Sequence, residues 1–131
     1  MKTLLLVKPN ATQINKIGKI LSMVEDAGFK IIGLKMLQMT PKLAAEFYLI
    51  HKDKPFYEPL IAFMTSGNIV AAILEKEDAI ACLRQTVGAT NPAEAKKGTI
   101  RKLFGKNVEQ NAVHASDSPE NALLEISIIF R

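Results

Sequence analysis

The sequence has 131 residues, 48% of them hydrophobic and 23% charged, and 17 Lys and Arg against 13 Asp and Glu residues give a formal net charge of +4. This composition is typical of one globular domain, here residues 1–131, and it excludes a disordered or collagen-like chain. A single cysteine excludes a disulfide-stabilised secreted domain, and no apolar run approaches the ~18 residues of a membrane-spanning helix, so we expect a cytoplasmic protein with anionic partners.

The first third of the chain predicts a strand, a helix and a second strand. The apolar and β-branched run Thr3–Val7 is typical of a strand that is buried on both faces. Thr12 is the expected N-cap of the helix that follows, and Gly28 is its expected end. The segment Phe29–Met39 then returns to the pattern of a long strand.

The middle of the chain predicts two helices, a third strand and another helix. Residues 40–50 begin with a capping threonine and a proline at the first helical position, and a further helix ends at Gly67. The segment Asn68–Leu74 is an apolar run that predicts a buried strand. Asp78 is the expected N-cap of the next helix, which Gly88 ends.

The last third begins with a long irregular segment. Ala89–Gln110 shows turn residues and no sustained periodicity, and long loops inside a compact domain are usually functional. A fourth strand is predicted over Asn111–Ala115, a last helix from Ser118, and a terminal strand over Ile126–Phe130. This order predicts an α+β fold, a ferredoxin-like split βαβ sandwich: a four-stranded antiparallel sheet with helices on its faces and a small C-terminal helix–strand appendage.

His114 is the strongest candidate for chemistry. It interrupts the apolar run of the fourth strand and precedes a helix start, although a histidine in a strand can also be a hydrogen-bonded core residue. Neutral imidazole is a competent nucleophile toward phosphorus, and Glu125 is a candidate carboxylate to hold its other nitrogen. Groups that hold phosphoryl oxygens occur in the loop before His114, namely Thr90, Lys96, Lys97, Arg101 and Asn111, and Arg84 lies on the predicted helix that leads into this loop.

Other candidate residues have simpler interpretations. His51 stands beside Lys52 and Asp53 at the polar end of a helix, which predicts a solvated surface residue. Lys8 follows the first strand, where site residues are frequent, but a solvated lysine is an equally simple interpretation. Neither a Walker motif nor a Gly-x-Gly-x-x-Gly loop occurs, so the common strand–loop–helix nucleotide folds have no support.

Four segments, in order along the chain, resemble the nucleoside diphosphate kinase family: Lys8–Ala11, Gly88–Ala93, Gly98–Arg101 and Asn111–Ser118. The resemblance extends from Thr3 to Phe130, and the segment around His114 is similar to the active-site signature of the family. It implies ping-pong transfer of the γ-phosphate of a nucleoside triphosphate to a nucleoside diphosphate through phosphohistidine, which maintains nucleotide pools. It also implies a need for Mg²⁺, a cytoplasmic homo-oligomer (hexamer or tetramer), no membrane and no nucleic acid as main partner.

The same resemblance implies a role for each matching residue. His114 would be the nucleophile, Glu125 the carboxylate that orients it, and Ser116 the support of both, with Mg²⁺ carried by the nucleotide rather than by protein side chains. The residues implied for the nucleotide are Lys8, Arg84, Thr90 and Arg101 for the phosphates, Tyr48 beside the phosphates and the histidine, Asn111 for the sugar hydroxyls and Phe56 for stacking on the base. Lys8 and Tyr48 would also take part in catalysis.

A non-catalytic ferredoxin-like module that holds nucleotides or RNA on its open face is the alternative from another class. Such a module is expected to carry aromatic residues on its central strands, whereas these strands carry aliphatic residues. An inactive relative is the third possibility, but it would ordinarily lack His114, Lys8 or an arginine, and all are present. The sequence therefore favours the enzyme.

Overall fold

A four-stranded antiparallel sheet forms the centre of the structure, a computed structural model that describes residues 1–131. The strands are β1 (Lys2–Val7), β2 (Lys30–Leu37), β3 (Ile69–Glu75) and β4 (Val113–Ala115). The sheet order is β2-β3-β1-β4, which confirms the predicted ferredoxin-like arrangement.

Seven α-helices surround the sheet: α1 (Pro9–Thr12), α2 (Ile17–Asp26), α3 (Pro41–Phe47), α4 (Tyr57–Met64), α5 (Ala79–Val87), α6 (Ile100–Phe104) and α7 (Pro119–Ile129). Two short 3₁₀ turns lie at Leu49–His51 and Pro92–Glu94. None of the helices combines the length and the apolar character that crossing a bilayer requires.

Strand β1 lies between β3 and β4, and every residue from Leu4 to Val7 is fully buried. Side chains alternate along a strand, so Leu5 and Val7 pack on the face covered by α2 and α5, and Leu4 and Leu6 pack on the face covered by α3, α4 and α7. Burial of each such side chain contributes about 1.5–3 kcal/mol, which fixes the position of the strand between the two helical layers. Side chains that lie on β4 or directly after β1 are therefore held in fixed positions.

The first helical segment differs from the prediction, because Thr12 is not the N-cap of a long helix. Pro9 starts the short helix α1 directly after β1, and Asn15 then takes a left-handed φ of 61° that separates α1 from α2. The Thr12 hydroxyl instead donates to the carbonyl oxygens of Pro9 at 3.2 Å and Asn68 at 2.7 Å. Thr12 thus connects α1 to the start of β3.

Two predictions for later elements are also wrong. Asp78 precedes α5 but its side chain caps nothing, since its backbone has a left-handed φ of 53°. The segment Ile126–Phe130 is not a strand, because α7 continues to Ile129 and buries Ile128 and Ile129 in the core beneath α3 and α4. The C-terminal appendage is therefore a helix alone.

The segment Ala89–Gln110 contains more structure than the prediction of a loop allows. Thr99 is the N-cap of α6, and its hydroxyl oxygen accepts from the backbone N–H of Lys102 at 3.3 Å. Asn91 caps the preceding 3₁₀ turn by accepting from Ala93 N–H at 3.0 Å. Elements of three and five residues are too short to produce a periodic pattern, which is why the sequence did not reveal them.

The turn at Gly88 offers a test of this packing. Gly88 has φ 94° and ψ 177°, a backbone region that is open essentially to glycine alone, and an added Cβ would lie 2.6 Å from Thr99 Oγ1. Gly98 also has a positive φ, of 87°, but a Cβ there meets nothing within 4 Å. We expect Gly98→Ala to lower the free energy of unfolding by about 1–2 kcal/mol and Gly88→Ala by about 2 kcal/mol more. Denaturant unfolding measures both, and equal losses would contradict the packing described here.

Candidate active site

A cavity of about 500 Å³ opens beside the end of β1 and His114 of β4. Seven residues named from the sequence line it: Lys8, Tyr48, Phe56, Thr90, Arg101, Asn111 and His114. They come from the residue after β1, from β4 and α6, from the α3–α4 connection and from the segments on either side of α6. The structure thus gathers into one cavity residues that lie far apart in the chain.

His114 is held by a carboxylate at one of its two ring nitrogens. It lies on β4 opposite Leu6 of β1, and its Nε2 is 2.8 Å from Glu125 Oε1 of α7. The Phe47 ring meets the imidazole edge-on, with centroids 5.3 Å apart, and the His114 side chain keeps 21% of its surface exposed. A neutral imidazole that donates from Nε2 to the carboxylate has a free lone pair on Nδ1. The arrangement therefore leaves Nδ1 as the ring nitrogen with an unshared lone pair.

Ser116 provides the second hydrogen bond that holds the Glu125 carboxylate. Its hydroxyl donates to the same Glu125 oxygen, Oε1, at 2.7 Å, and Ser116 is completely buried. The Leu4 N–H donates to Ser116 Oγ at 3.4 Å, and the Ser116 N–H donates to the Leu4 carbonyl oxygen at 3.2 Å. Ser116 thereby joins Glu125 on α7 to the backbone of the central strand. Glu125 and Ser116 lie behind His114 and do not line the cavity.

The backbone at Ala112 explains how Asn111 and His114 reach the same cavity. In an uninterrupted strand, residues 111 and 114 would point to opposite faces, because side chains alternate. Ala112 has φ 76°, in the left-handed region that L-residues rarely adopt, and this interrupts the alternation just before β4. Its carbonyl oxygen accepts from the Lys8 N–H at 2.8 Å. A conformation of this kind costs about 1–3 kcal/mol and persists only where the surroundings enforce it.

Lys8 is a buried cation without a carboxylate partner. It follows β1 directly, and its Nζ donates to Asn111 Oδ1 at 2.8 Å and to the Glu109 carbonyl oxygen at 3.5 Å. Burial, and next to it the positive charge of Arg101, lowers the pKa of Lys8 from its ordinary 10.5 to about 8. Asn111 in turn donates from Nδ2 to the Thr90 carbonyl oxygen at 3.0 Å. The charged form of Lys8 is therefore held in place at a cost that a bound anion would offset.

Arg101 is a second buried cation on the same wall. Its Nη1 donates to the Gly88 carbonyl oxygen and its Nη2 to the Val113 carbonyl oxygen, both at 3.0 Å, while its Nε makes no hydrogen bond with another protein group. Burial, followed by the charge of Arg84, lowers the pKa of Arg101 to about 10. Arg101 thus connects the Gly88 turn to β4 and also leaves its positive charge uncompensated.

Tyr48 adds a hydrogen-bond donor to the cavity. Its hydroxyl is buried and makes no hydrogen bond with the protein. Burial, and to a smaller extent the charge of Glu125, raises the pKa of Tyr48, so the hydroxyl keeps its proton at neutral pH. A buried hydroxyl without a partner loses a hydrogen bond that water would supply, which is consistent with a ligand oxygen as its partner.

Arg84 is a predicted phosphate-binding residue that the structure places outside the cavity. It lies in the last turn of α5 and lines a neighbouring depression with Gln85, Gly88 and Thr99. Its charge nevertheless reaches Arg101, whose pKa it lowers. A role for Arg84 in phosphate binding stays a prediction.

Residues that the sequence did not identify also line the cavity, namely His51, Leu60, Val108 and Glu109. The prediction of a solvated His51 is wrong, because His51 is half-buried against Tyr48 and Phe56. The 3₁₀ turn Leu49–His51 has three residues per turn, so His51 lies on the same side as Tyr48, three residues earlier. This spacing is the one signal in the sequence that could have placed His51 in the cavity. Val108 is an exposed apolar residue within an irregular segment and gave no signal of its own.

The donor set of the cavity fits an anion rather than a free metal ion. No group of three or more His, Cys, Asp or Glu side chains is placed to hold a metal. Cations, amides and hydroxyls dominate the lining, and Glu109 is its one carboxylate. Such groups are those that hold phosphoryl oxygens.

Sequence comparison identifies a family over the whole chain. A family model described as "Nucleoside diphosphate kinase" matches residues 1–131. A nucleoside diphosphate kinase of Persephonella marina is 54% identical over 129 residues, which cover 98% of this chain and 92% of that protein. One of Geobacter sulfurreducens is 48% identical over 129 residues and covers 98% of this chain and 94% of that protein.

Solved structures lead to the same family. The nucleoside diphosphate kinase of Aquifex aeolicus superposes with a TM-score of 0.96 at 47% identity, covering 99% of this chain and 94% of that one. A halophilic nucleoside diphosphate kinase of Halobacterium salinarum in complex with CDP superposes with a TM-score of 0.95 at 37% identity, covering 99% and 87%.

The low pKa of Lys8 predicts how stability depends on pH. The unfolded chain holds the Lys8 proton up to about pH 10.5 and the folded chain releases it near pH 8, so between these values the unfolded chain binds more protons. The free energy of unfolding therefore rises with pH across this window. We expect the difference between the wild type and Lys8→Met to increase in favour of the wild type by about 3 kcal/mol from pH 8 to pH 10.5. Denaturant unfolding at a series of pH values measures this difference, and a constant difference would mean that Lys8 is not desolvated.

Proposed function

The chain belongs to the nucleoside diphosphate kinase family, and we propose that His114 is the residue that carries the phosphate between nucleotides. The chain is accordingly a phosphotransferase that converts nucleoside diphosphates into triphosphates. The observation that carries the assignment to His114 is the hydrogen bond from its Nε2 to Glu125, which leaves Nδ1 free in a residue that shares its cavity with the cations Lys8 and Arg101. The residue roles below rest on this geometry.

In the first half-reaction, the lone pair of His114 Nδ1 attacks the γ-phosphorus of a nucleoside triphosphate. A nitrogen–phosphorus bond forms, the bond to the β-phosphate oxygen breaks, and the diphosphate leaves with that electron pair. The imidazole gains positive charge as it attacks, and the Glu125 carboxylate at 2.8 Å balances it. In the second half-reaction, a terminal oxygen of another diphosphate attacks the same phosphorus and the nitrogen–phosphorus bond breaks, which restores neutral His114.

The cavity wall supplies the charge that this transfer needs. Phosphoryl transfer depends mostly on positioning and on stabilisation of the phosphoryl oxygens, and Lys8 and Arg101 are fixed cations for this purpose. We assign the same phosphates to Thr90 and Arg84, and the unpartnered Tyr48 hydroxyl to an oxygen of the transferred group.

The remaining residues would bind the nucleoside part of the substrate. We assign Asn111 to the sugar hydroxyls, since its amide is already fixed between Lys8 and Thr90. Phe56 would stack on the base, because its ring lines the cavity and is 47% exposed. Stacking contributes about 1–3 kcal/mol without reading hydrogen-bond donors or acceptors, so broad tolerance for bases follows.

Magnesium would be bound by the nucleotide rather than by this chain. The side chains of the cavity do not form a magnesium site of their own, whereas they fit the phosphates that carry the ion. When bound to those phosphates, Mg²⁺ supplies additional positive charge to their oxygens. Lys8 and Arg101 would hold the oxygens that the ion leaves free.

We also propose a setting for the enzyme. The whole chain, residues 1–131, would act as one domain in the cytoplasm, where a free thiol such as Cys82 stays reduced. It would assemble as a homo-oligomer, a hexamer or a tetramer. The exposed apolar side chains of Ile32, Leu34 and Met36 on edge strand β2 support an assembly, because they lose contact with water when a second copy covers them.

The alternative of a non-catalytic binding module has less support. A module of that class needs neither a histidine held at one nitrogen nor a carboxylate fixed by a buried serine, and both are present. Nucleic acid is not expected as the main partner, since the cations of the proposed site, Lys8 and Arg101, lie together in one cavity rather than along an extended stripe.

A labelling experiment tests the role of His114. Incubation with γ-labelled ATP and Mg²⁺ is expected to give one phosphate per chain, labile in acid and stable in base as a phosphoramidate is, and His114→Ala is expected to abolish it. Mass spectrometry and acid treatment of the labelled protein measure this, with circular dichroism to show that the variant is folded. Label that persists in His114→Ala, or that survives acid, would assign the phosphate to another residue.

Glu125→Gln tests the role of the carboxylate. The amide keeps the size of the side chain but removes the negative charge that balances the imidazole, so we expect phosphorylation by ATP to slow about tenfold to a hundredfold. Stopped-flow or quenched-flow single turnover measures this rate. Glu120→Gln, an equal charge change on an exposed residue in the first turn of the same helix, is the control and is expected to have no effect. Equal rates for the two variants would remove Glu125 from the mechanism.

A further inference from the structure

The ring of Phe56 is poorly fixed by the core. It is 47% exposed and lies outside both hydrophobic clusters. Two polar side chains contact its ring: His51, with centroids 5.2 Å apart and planes tilted by 59°, and Lys54, whose Nζ lies 5.6 Å from the ring centre. These two residues are therefore placed to orient Phe56.

His51 joins Phe56 to the buried part of the cavity. Its ring stacks on Tyr48, with centroids 6.3 Å apart and an interplanar angle of 26°. Tyr48 is buried and in turn meets Phe47, which contacts His114. Tyr48 thus gives His51 a rigid neighbour that Phe56 itself does not have.

Lys54 contacts both His51 and Phe56. Its Nζ lies 3.1 Å from His51 Nδ1, and the same ammonium group faces the Phe56 ring. An ammonium group has no lone pair, so Nδ1 must accept this hydrogen bond and the His51 proton must lie on Nε2. Neutral His51 therefore places the Lys54 charge where it attracts the Phe56 ring.

We propose that His51 is a positioning residue for nucleotide binding: through its ring and through Lys54 it holds Phe56 in the orientation that receives the base. The proposal rests on the proposed function, because it presupposes that the base stacks on Phe56. His51 makes no bond in the transfer of the phosphate, so its effect is on donors that carry a base.

Protonation of His51 reverses this effect. A proton on Nδ1 turns the acceptor into a donor, which breaks the hydrogen bond and sets two positive charges against each other. The charged or titratable groups that face His51 are Lys54 on its own connection, His114 on β4 and Asp117 on the β4–α7 connection. Burial, then Lys54 and His114, lowers the pKa of His51, while Asp117 opposes them. His51 is thus neutral at neutral pH, and base recognition weakens only in acid.

The experiment compares two phosphate donors in single-turnover phosphorylation of the whole enzyme. ATP carries the base, and 1-deoxyribose 5-triphosphate keeps the sugar and phosphates but lacks it; the measured quantity is the ratio of their second-order rate constants. We expect His51→Phe, which keeps a ring but no acceptor, and Lys54→Met each to lower this ratio about threefold to tenfold, the size of one cation–π contact and one hydrogen bond. The double variant is expected to lose no more than either single one, because both changes remove the same contact.

Three further variants complete the test. Lys52→Met, a change of the neighbouring exposed lysine, is expected to leave the ratio unchanged. His51→Asn keeps an acceptor near the position of Nδ1 and is expected to lose less than His51→Phe. In the wild type the ratio is expected to fall as the pH falls through the titration of His51, and in His51→Phe this fall disappears.

Phe56→Ala distinguishes a failure of the role proposed for His51 from a failure of the role proposed for Phe56. If Phe56→Ala lowers the ratio while His51→Phe and Lys54→Met do not, His51 has no positioning role and the proposed function stands. If Phe56→Ala leaves the ratio unchanged, the base does not stack on Phe56, and both the assignment of Phe56 and this proposal are overturned. If Lys52→Met lowers the ratio as much as Lys54→Met does, the effect comes from the overall positive charge of this segment and not from the Lys54 contact. That result would also overturn the proposal.

Discussion

Glu125 accepts hydrogen bonds at a single oxygen from two neighbours, His114 at 2.8 Å and Ser116 at 2.7 Å. Ser116 is completely buried and bonded to the backbone of Leu4 in the central strand, so the orientation of the imidazole is set by the core of the sheet. The rest of the site depends on this constraint, because it selects Nδ1 as the free nitrogen of His114. It also places the Glu125 carboxylate at Nε2, on the side of the ring opposite the free Nδ1.

The cavity contains several energetically unfavourable features, and an anionic ligand would relieve those that are charged or lack a hydrogen-bond partner. Lys8 and Arg101 are buried without a carboxylate partner, the Tyr48 hydroxyl has no protein partner, and Ala112 has a strained backbone. Each costs of the order of 1–3 kcal/mol, and the fully buried side chains of β1, which contribute about as much each, offset them. In the proposed reaction this loss of stability would serve as electrostatic preorganisation, because cations that are already fixed in place need no reorganisation when a phosphate binds.

The sequence predicts the sheet, and the failures have physical reasons. Four strands and the capping by Thr40 and Ser118 are confirmed. Seven of the residues named from the sequence line one cavity, and their roles stay predictions. The terminal strand is wrong because Ile128 and Ile129 suit a buried helix face as well as a strand, and only the tertiary core decides between them. His51 was missed because a polar neighbourhood in sequence does not show which side a 3₁₀ turn presents, and the reversal at Ala112 leaves no trace in residue type. Long-range contacts decide each of these.

The position of the phosphate on the imidazole tests the central claim most directly. Phosphorylation of the enzyme with histidine labelled by ¹⁵N, followed by NMR of the phosphorus–nitrogen coupling, identifies the bonded nitrogen of His114. The hydrogen bond between Nε2 and Glu125 predicts phosphorus on Nδ1, with Nε2 still protonated and facing the carboxylate. Phosphorus on Nε2 would contradict the account, since it would require the Glu125 contact to break before the reaction begins.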